Sequence, residues 1–165
     1  TIPYTLLRSS PTMSGDVLTG SAAIRQFAGK DLTQNGKIIN LVVSGNSRFY
    51  DSEWIEEQIE SWIGWNSEPD LIILGGASGV DYLVEKWANE KGIPMAIFSE
   101  AWNEPRGGLK DPGRTEASPT MGDKMLERAT HFIAFPGPKS KWTTIMINKA
   151  IDKGIPIVSL PTHKK

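Results

Sequence analysis

The chain has 165 residues, of which 39% are hydrophobic and 22% charged, and this composition is typical of one ordinary globular domain. Its formal net charge of −1 argues against a nucleic-acid partner bound by bulk electrostatics, and the absence of cysteine excludes disulfides and thiolate metal sites. With two histidines and no H-E-x-x-H pattern, we expect no metal site and no cofactor. No apolar run is long enough to cross a membrane and no signal peptide is recognisable, so we expect a cytoplasmic protein without a membrane partner.

Residues 1–36 differ in composition from the rest of the chain. They are rich in Thr, Ser, Gly and Gln, and their pattern predicts only one short helix, over residues 21–27. We interpret this segment as an N-terminal extension that either lies on the domain surface or forms a partner-binding arm. The domain itself is predicted to span residues 37–165.

From Lys37 onward, predicted strands and helices alternate. β-Branched and apolar runs predict strands, and apolar residues at helical spacing predict helices between them. In chain order the predicted elements are strand 38–44, helix 52–65, strand 71–74, helix 80–91, strand 94–98, helix 121–129, strand 131–135, helix 144–153 and strand 155–160. This alternation predicts an α/β fold: a doubly wound, mostly parallel, five-stranded Rossmann-like sheet with helices on both faces.

The most informative segment joins the second predicted strand to the second predicted helix. An apolar run, typical of a strand buried on both faces, leads directly into Gly75, Gly76, Ala77, Ser78 and Gly79. Glycines here let the backbone turn tightly and bring its N–H groups, with the positive helix end, close to an anion. The alternative is a turn that only connects the two elements. The segment matches neither the dinucleotide fingerprint nor the P-loop.

Asp81 lies in the first predicted turn of that helix. The helix dipole stabilises a carboxylate at this position whether or not a ligand binds. Because a carboxylate repels phosphate, contact with a ribose or a base is the ligand role we consider for Asp81.

Small, polar or basic residues also follow the first and fourth predicted strands. The first of these loops contains Gly45, Asn46, Ser47 and Arg48 and ends at Asp51, which we expect to cap the next helix. The other loop contains Pro136, Gly137, Ser140 and Thr143, with two lysines nearby. Because the carboxyl ends of parallel strands share one edge of a sheet, we expect these loops and the glycine turn to line one crevice for an anionic ligand.

The loop after the third predicted strand, residues 99–119, is unusually long. Loops of this length within a compact domain are active-site lids or disordered segments. It contains Trp102, which either stacks on a base or anchors the loop in the core, and Glu116.

Four segments taken together, residues 43–48, 75–81, 101–102 and 134–137, resemble the SLOG superfamily. These are Rossmann-like domains related to the LOG phosphoribohydrolases and to DNA-processing protein A. The similarity is greatest to the small bacterial and phage branch with a G-G-A-x-G-x-D signature, and it covers about residues 37–160. The resemblance implies a nucleotide or nucleotide-derived ligand at the loops named above. Some members cleave N-glycosidic bonds, whereas others sense ligands or bind single-stranded DNA.

The chain departs from the family pattern in two places. That branch carries R-N-x-x-M before the fourth strand, but residues 121–125 read Met-Gly-Asp-Lys-Met. The LOG enzymes carry a catalytic glutamate in P-G-G-x-G-T-x-x-E, and Met146 stands where this acid is expected.

Three functions are therefore open. The first is a protein that binds a nucleotide-like small molecule without turnover. The second is an N-glycoside hydrolase or transferase acting on nucleoside monophosphates, which requires a carboxylate; Asp81 and Glu116 are our catalytic candidates, and Glu100, Glu104 and Asp123 are further carboxylates near the predicted crevice. The third is a single-stranded DNA-binding or scaffolding module.

Six tryptophans in so short a chain leave room for an interface between subunits. Three of them, Trp54, Trp62 and Trp65, lie on or beside one predicted helix. We therefore expect a homo-oligomer, the alternative being that these residues form the core and rim of a monomer.

Overall fold

The computed structural model describes residues 20–46, 48–75, 79–98, 119–137 and 141–162. The described residues form alternating helices and strands, in the order α1 (Gly20–Phe27), β1 (Asn40–Gly45), α2 (Ser52–Asn66), β2 (Leu71–Leu74), α3 (Val80–Lys91), β3 (Met95–Ile97), α4 (Pro119–Leu126), β4 (His131–Phe135), α5 (Lys141–Asp152) and β5 (Ile157–Ser159).

The strands form one five-stranded sheet in the order β3-β2-β1-β4-β5. Every neighbouring pair of strands is parallel. This arrangement confirms the predicted doubly wound α/β fold. It follows from the alternating pattern, because a parallel neighbour can be reached only by a crossover, which a helix supplies here.

Two hydrophobic layers cover the two faces of the sheet. Alternate residues of β1 separate between them: Val42 packs on the face covered by α1, α4 and α5, whereas Leu41 and Val43 pack on the face covered by α2 and α3. Ile24 and Phe27 of α1 are buried in the first layer, and α1 lies against β3. The described part of the N-terminal extension therefore contributes to the core.

Local signals explain where several helices begin and end. The Asp51 carboxylate accepts a hydrogen bond from Trp54 N and caps α2, as predicted. Gly92 ends α3 in the left-handed conformation, with φ 75°. The predicted start of the last helix was wrong, because α5 begins at Lys141 rather than at residue 144. The predicted end of α4 was also wrong: the helix stops at Leu126, and Thr130 N then donates to the Asn40 carbonyl beside β1.

The three tryptophans of α2 differ in exposure. Trp62 is buried and Trp54 is partly buried, but Trp65 near the end of the helix is 86% exposed. A single exposed tryptophan does not define an interface, so the homo-oligomer stays a prediction. Within the described ranges, no helix has the length and apolar character needed to span a membrane.

A buried carboxylate joins the residues that follow α1 to the sheet. Asp70, just before β2, is fully buried, and its two oxygens accept hydrogen bonds from Thr33 N (2.9 Å), Thr33 Oγ1 (3.3 Å) and Ile39 N (2.8 Å). These contacts lie at the amino ends of β1 and β2. Asp70 thus holds the segment between α1 and β1 in place from the edge opposite the strands' carboxyl ends.

His131, the first residue of β4, makes folding stability depend on pH. Its ring packs edge-on against Trp62 with centroids 5.5 Å apart, and its Nδ1 lies 2.8 Å from Thr130 Oγ1. Burial first, and then the nearby Lys37 charge, lower the pKa of His131 below the ordinary 6.5. The His131 ring is therefore protonated at a higher pH in the unfolded chain than in the folded chain. The stability that the neutral ring contributes is complete above about pH 6.5 and is lost as the pH falls toward the lowered folded-state pKa.

We therefore expect the wild-type protein to lose more stability than His131→Asn when the pH is lowered from about 8 to about 5.5. Urea unfolding measures the free energy of unfolding of both proteins across this pH range. In the difference between the two proteins, the contributions of the carboxylates cancel because both proteins contain the same carboxylates. Parallel curves for the two proteins would show that His131 does not couple stability to pH.

Candidate functional site

The carboxyl ends of all five strands meet at one edge of the sheet. The chain adds β2 and β3 on one side of β1 and then returns to add β4 and β5 on the other side, so the topological switch point lies between β1 and β4. Gly45 and Phe135 are paired at the ends of these two strands. Ligands of open α/β sheets bind outside the strands' carboxyl ends at such a point. We call the space between the loops after β1 and β4 the switch-point crevice.

Asn46 braces this crevice. It is 7% exposed, and its backbone N–H donates to the Phe135 carbonyl at 2.9 Å, across the switch point. Its own carbonyl accepts from Val80 N, the first residue of α3, at 3.1 Å. The side-chain Oδ1 accepts from Arg48 N at 2.9 Å. Asn46 thus fixes the loop after β1 relative to both β4 and α3.

Thr162 belongs to the same network, and the sequence analysis missed it. Asn46 Nδ2 donates to Thr162 Oγ1 at 3.2 Å. Thr162 N donates to the Pro136 carbonyl at 3.0 Å, and its hydroxyl donates to the same carbonyl at 3.3 Å. The segment after β5 therefore continues alongside the end of β4 and reaches the loop after β1. No motif or periodicity marks this residue, because the contact joins positions 116 residues apart.

Two glycines let the backbones of the crevice approach each other closely. A Cβ added at Gly45 would lie 2.7 Å from the Phe135 carbonyl oxygen and 2.9 Å from Val80 Cβ. A Cβ added at Gly137 would overlap the side-chain amide of Asn46. Both positions thus require glycine for steric reasons, so close packing accounts for part of the glycine pattern that predicted a ligand site.

The start of α3 lies at the same edge. It follows Gly79, whose φ of 69° and ψ of −126° favour glycine, and Gly79 has no side chain with which to cap the helix. Asp81 in the first turn is only 2% exposed, and its Oδ2 lies 3.3 Å from the position that a Cβ would take at Gly75. The carboxylate is therefore packed against Gly75, directly after β2.

The start of α5 reaches the crevice from the other face of the sheet. Thr143 in its first turn is buried, and its hydroxyl lies 3.5 Å from the hydroxyl of Ser44, the last but one residue of β1. This contact positions the amino-terminal turn of α5 beside β1. Contact of Thr143 with a ligand stays a prediction.

All the predicted ligand-binding residues that the structure describes lie at this edge. They are Gly45, Asn46, Gly75, Gly79, Pro136, Gly137 and Thr143, together with Arg48, whose side chain is exposed and makes no ion pair with a described residue. Of the other predicted site residues, Asp81 is the buried carboxylate described above. The rest lie outside the described residues, as do two further candidate carboxylates: Ser47, Gly76, Ala77, Ser78, Trp102, Glu116 and Ser140, with Glu100 and Glu104.

Two positions that the sequence analysis considered have structural roles. Met146, where the LOG enzymes have a glutamate, is fully buried in the hydrophobic layer formed with α4. Asp123 of α4 forms an ion pair with Lys149 at 2.8 Å. Because Lys149 is in the last turn of α5, this pair lies toward the amino edge of the sheet, away from the crevice.

A second concave surface runs between α2 and α3, from Asp51 at the start of α2 to Lys91 in the last turn of α3. This acidic cavity has a volume of about 600 Å³ and is lined by Asp51, Glu53, Trp54, Glu56, Glu57, Glu60, Trp87, Glu90 and Lys91. Glu60 accepts a hydrogen bond from Trp87 Nε1 and pairs with Lys91, both at 3.1 Å. With carboxylates so far in excess of lysine, this cavity repels anions.

No protein-family model matches the chain, and no curated protein matches it.

Proposed function

We propose that the chain binds a nucleotide or a nucleotide-derived ligand, with its phosphate at the switch-point crevice. The observation that carries this proposal is the convergence of two helix starts, α3 after Gly79 and α5 at Lys141, on the point where β1 and β4 separate. Helix N-termini attract anions through their oriented N–H groups and their dipoles. The resemblance to the SLOG superfamily favours the same ligand class.

Charge around the edge supports this location for an anion. Arg48 follows Asn46 on the crevice loop, and its exposed guanidinium is available to a phosphate. The acidic cavity, by contrast, excludes phosphate from the neighbouring surface between α2 and α3. A phosphate near this edge therefore finds its favourable partners in the crevice.

Binding without turnover fits the described carboxylates better than hydrolysis does. Stabilisation of an oxocarbenium-like centre requires a carboxylate that reaches the sugar. Asp81 is buried beside Gly75, and Met146 places an apolar side chain where the LOG enzymes, which the sequence resembles, have an acid. We therefore assign the crevice a binding role, with hydrolysis as the alternative that the experiment below separates.

Asn46→Asp tests the location of the site. The change keeps the size of the side chain and the acceptor for Arg48 N. It replaces the Nδ2 donor to Thr162 Oγ1 by a carboxylate oxygen, which can accept from that hydroxyl instead, and it adds a negative charge at the crevice. At an effective dielectric constant of about 20, a like charge about 5 Å away costs about 3 kcal/mol, which raises the dissociation constant of a singly charged anion by roughly a few hundredfold. We expect this loss in calorimetric titrations with the four common nucleoside monophosphates.

Asn66→Asp is the matched control, since it adds the same charge near the end of α2, where Asn66 Nδ2 donates to the Trp62 carbonyl. It should leave nucleotide affinity within about twofold. The proposal fails if the wild type binds none of the four nucleotides or if Asn46→Asp binds them as tightly as the wild type. Chromatography of the incubated ligand separates the two activities, because an intact nucleotide indicates binding and released base indicates hydrolysis.

A further inference from the structure

Two tyrosines lie side by side next to the switch-point crevice, and neither was singled out from the sequence. Tyr50 is in the loop that follows β1 and is 51% exposed. Tyr82 is in the first turn of α3 and is half-buried. Their ring centroids are 6.5 Å apart and their planes are inclined by 54°. The pair is thus formed by the two elements that Asn46 joins.

The backbone that carries this pair is held in place before any ligand arrives. The Asn46 carbonyl accepts from both Phe49 N, at 3.3 Å, and Val80 N, at 3.1 Å. Phe49, the neighbour of Tyr50, is buried and packs edge-on against Trp54 with centroids 5.5 Å apart. Tyr50 is therefore an exposed ring on a loop that is already fixed in place. Binding of a ligand to this ring loses little conformational entropy, because the loop does not have to be ordered first.

We propose that Tyr50 and Tyr82 form a stacking platform for the base of the ligand whose phosphate occupies the switch-point crevice; this inference rests on the proposed function. An exposed aromatic ring beside an anion site suits a flat nucleobase. Stacking of a base on tyrosine depends little on which of the four bases is present. Arg48 lies between Asn46 and Tyr50 on the same loop, so a cation stands between the phosphate end and the base end.

The acidic cavity sets the orientation of the ligand. Asp51, which directly follows Tyr50, lines that cavity together with the carboxylates of α2. A phosphate on that side would be repelled, so the phosphate points back toward Arg48 and the crevice while the uncharged base lies on the tyrosines. A continuous single strand would have to carry its backbone phosphates past the acidic cavity. The platform therefore selects a free mononucleotide rather than an oligonucleotide.

The test compares ligands with and without a base. Wild-type protein, Tyr50→Ala, Tyr82→Ala and Tyr50→Phe are titrated calorimetrically with the four nucleoside monophosphates and with ribose 5-phosphate. Stacking energies of this kind correspond to about a fivefold to hundredfold loss of nucleotide affinity in each alanine variant. Tyr50→Phe keeps the ring and should bind like the wild type. Affinity for ribose 5-phosphate, which has no base, should change by less than about twofold in any of them.

Trp65→Ala is the control, because it removes an exposed aromatic ring at the far end of α2 and should leave every affinity unchanged. If wild-type protein binds no nucleotide, the proposed function itself fails. If it binds nucleotides and the alanine variants bind them equally well, only the platform is overturned. An equal loss for nucleotide and ribose 5-phosphate also overturns the platform, since the tyrosines would then support the loop rather than the base. Tighter binding of a short single-stranded oligonucleotide than of any mononucleotide would overturn the assigned ligand class.

Discussion

Gly45→Ala is expected to lower the free energy of unfolding by about 3 kcal/mol, because it forces a methyl group into a space bounded by backbone. The nearest atom, the Phe135 carbonyl oxygen at 2.7 Å, is held by pairing of β1 with β4 and already accepts from Asn46 N. Val80 Cβ, at 2.9 Å, is held by α3. Relief of the clash requires β4 or α3 to move away from β1, which opens the switch-point crevice. Urea unfolding followed by tryptophan fluorescence measures the loss.

The same substitution at Gly64 provides the control. Gly64 is in α2, and a Cβ added there meets no atom within 4 Å. Alanine favours a helix over glycine, so Gly64→Ala should raise the free energy of unfolding by up to about 1 kcal/mol. Opposite signs for the two variants are the expected result. A Gly45→Ala protein as stable as the wild type would mean that the sheet and α3 separate at little cost.

Asp70→Ala is expected to cost about 3 to 5 kcal/mol of stability. Removal of the buried carboxylate leaves Ile39 N, Thr33 N and the Thr33 hydroxyl without their acceptor. Because the Thr33 contacts hold the segment between α1 and β1, we also expect residues 20–36 to exchange hydrogen faster in the variant than in the wild type, with a smaller change in the strands. Urea unfolding and hydrogen exchange measured by mass spectrometry report the two effects separately.

Asp123→Ala is the matched control, since it removes a carboxylate that is largely exposed and paired with Lys149. An ion pair of this kind contributes less than about 1 kcal/mol. Equal losses for the two variants, or unchanged exchange in residues 20–36 of Asp70→Ala, would contradict the role assigned to Asp70.

The sheet could be predicted because its signals are local. The apolar run at residues 71–74 and the helical spacing that follows it depend on neighbours in the chain, and α3 spans the residues that the spacing predicted. Parallel strands also place Gly45 and Gly137 at one edge of the sheet, as predicted, whereas the strand order itself was not predicted. These rules assign residues to an edge of the sheet, but they do not say which residues contact each other there.

The contacts that shape the crevice could not be predicted in this way. Thr162 and Asp70 act through hydrogen bonds to residues 116 and 31 to 37 positions away, and such pairs leave no periodic trace in a single sequence. Asn46 was predicted from its loop as a ligand-binding residue. Its hydrogen bonds also join the loop after β1 to β4, to α3 and to Thr162, which the sequence did not predict. Tyr50 and Tyr82 were overlooked because their proximity depends on how Asn46 joins the two segments.

The bond between Asn46 and Thr162 also has a consequence for the order of folding. The first strand and the segment after the last strand must both be in place before this bond closes, and contacts of such high sequence separation form slowly because a large loop has to be closed first. Helices α2 and α3, with their local contacts, can form long before it does. A ligand that requires the completed crevice would thus bind only fully folded protein, and its binding would report that the whole sheet has formed.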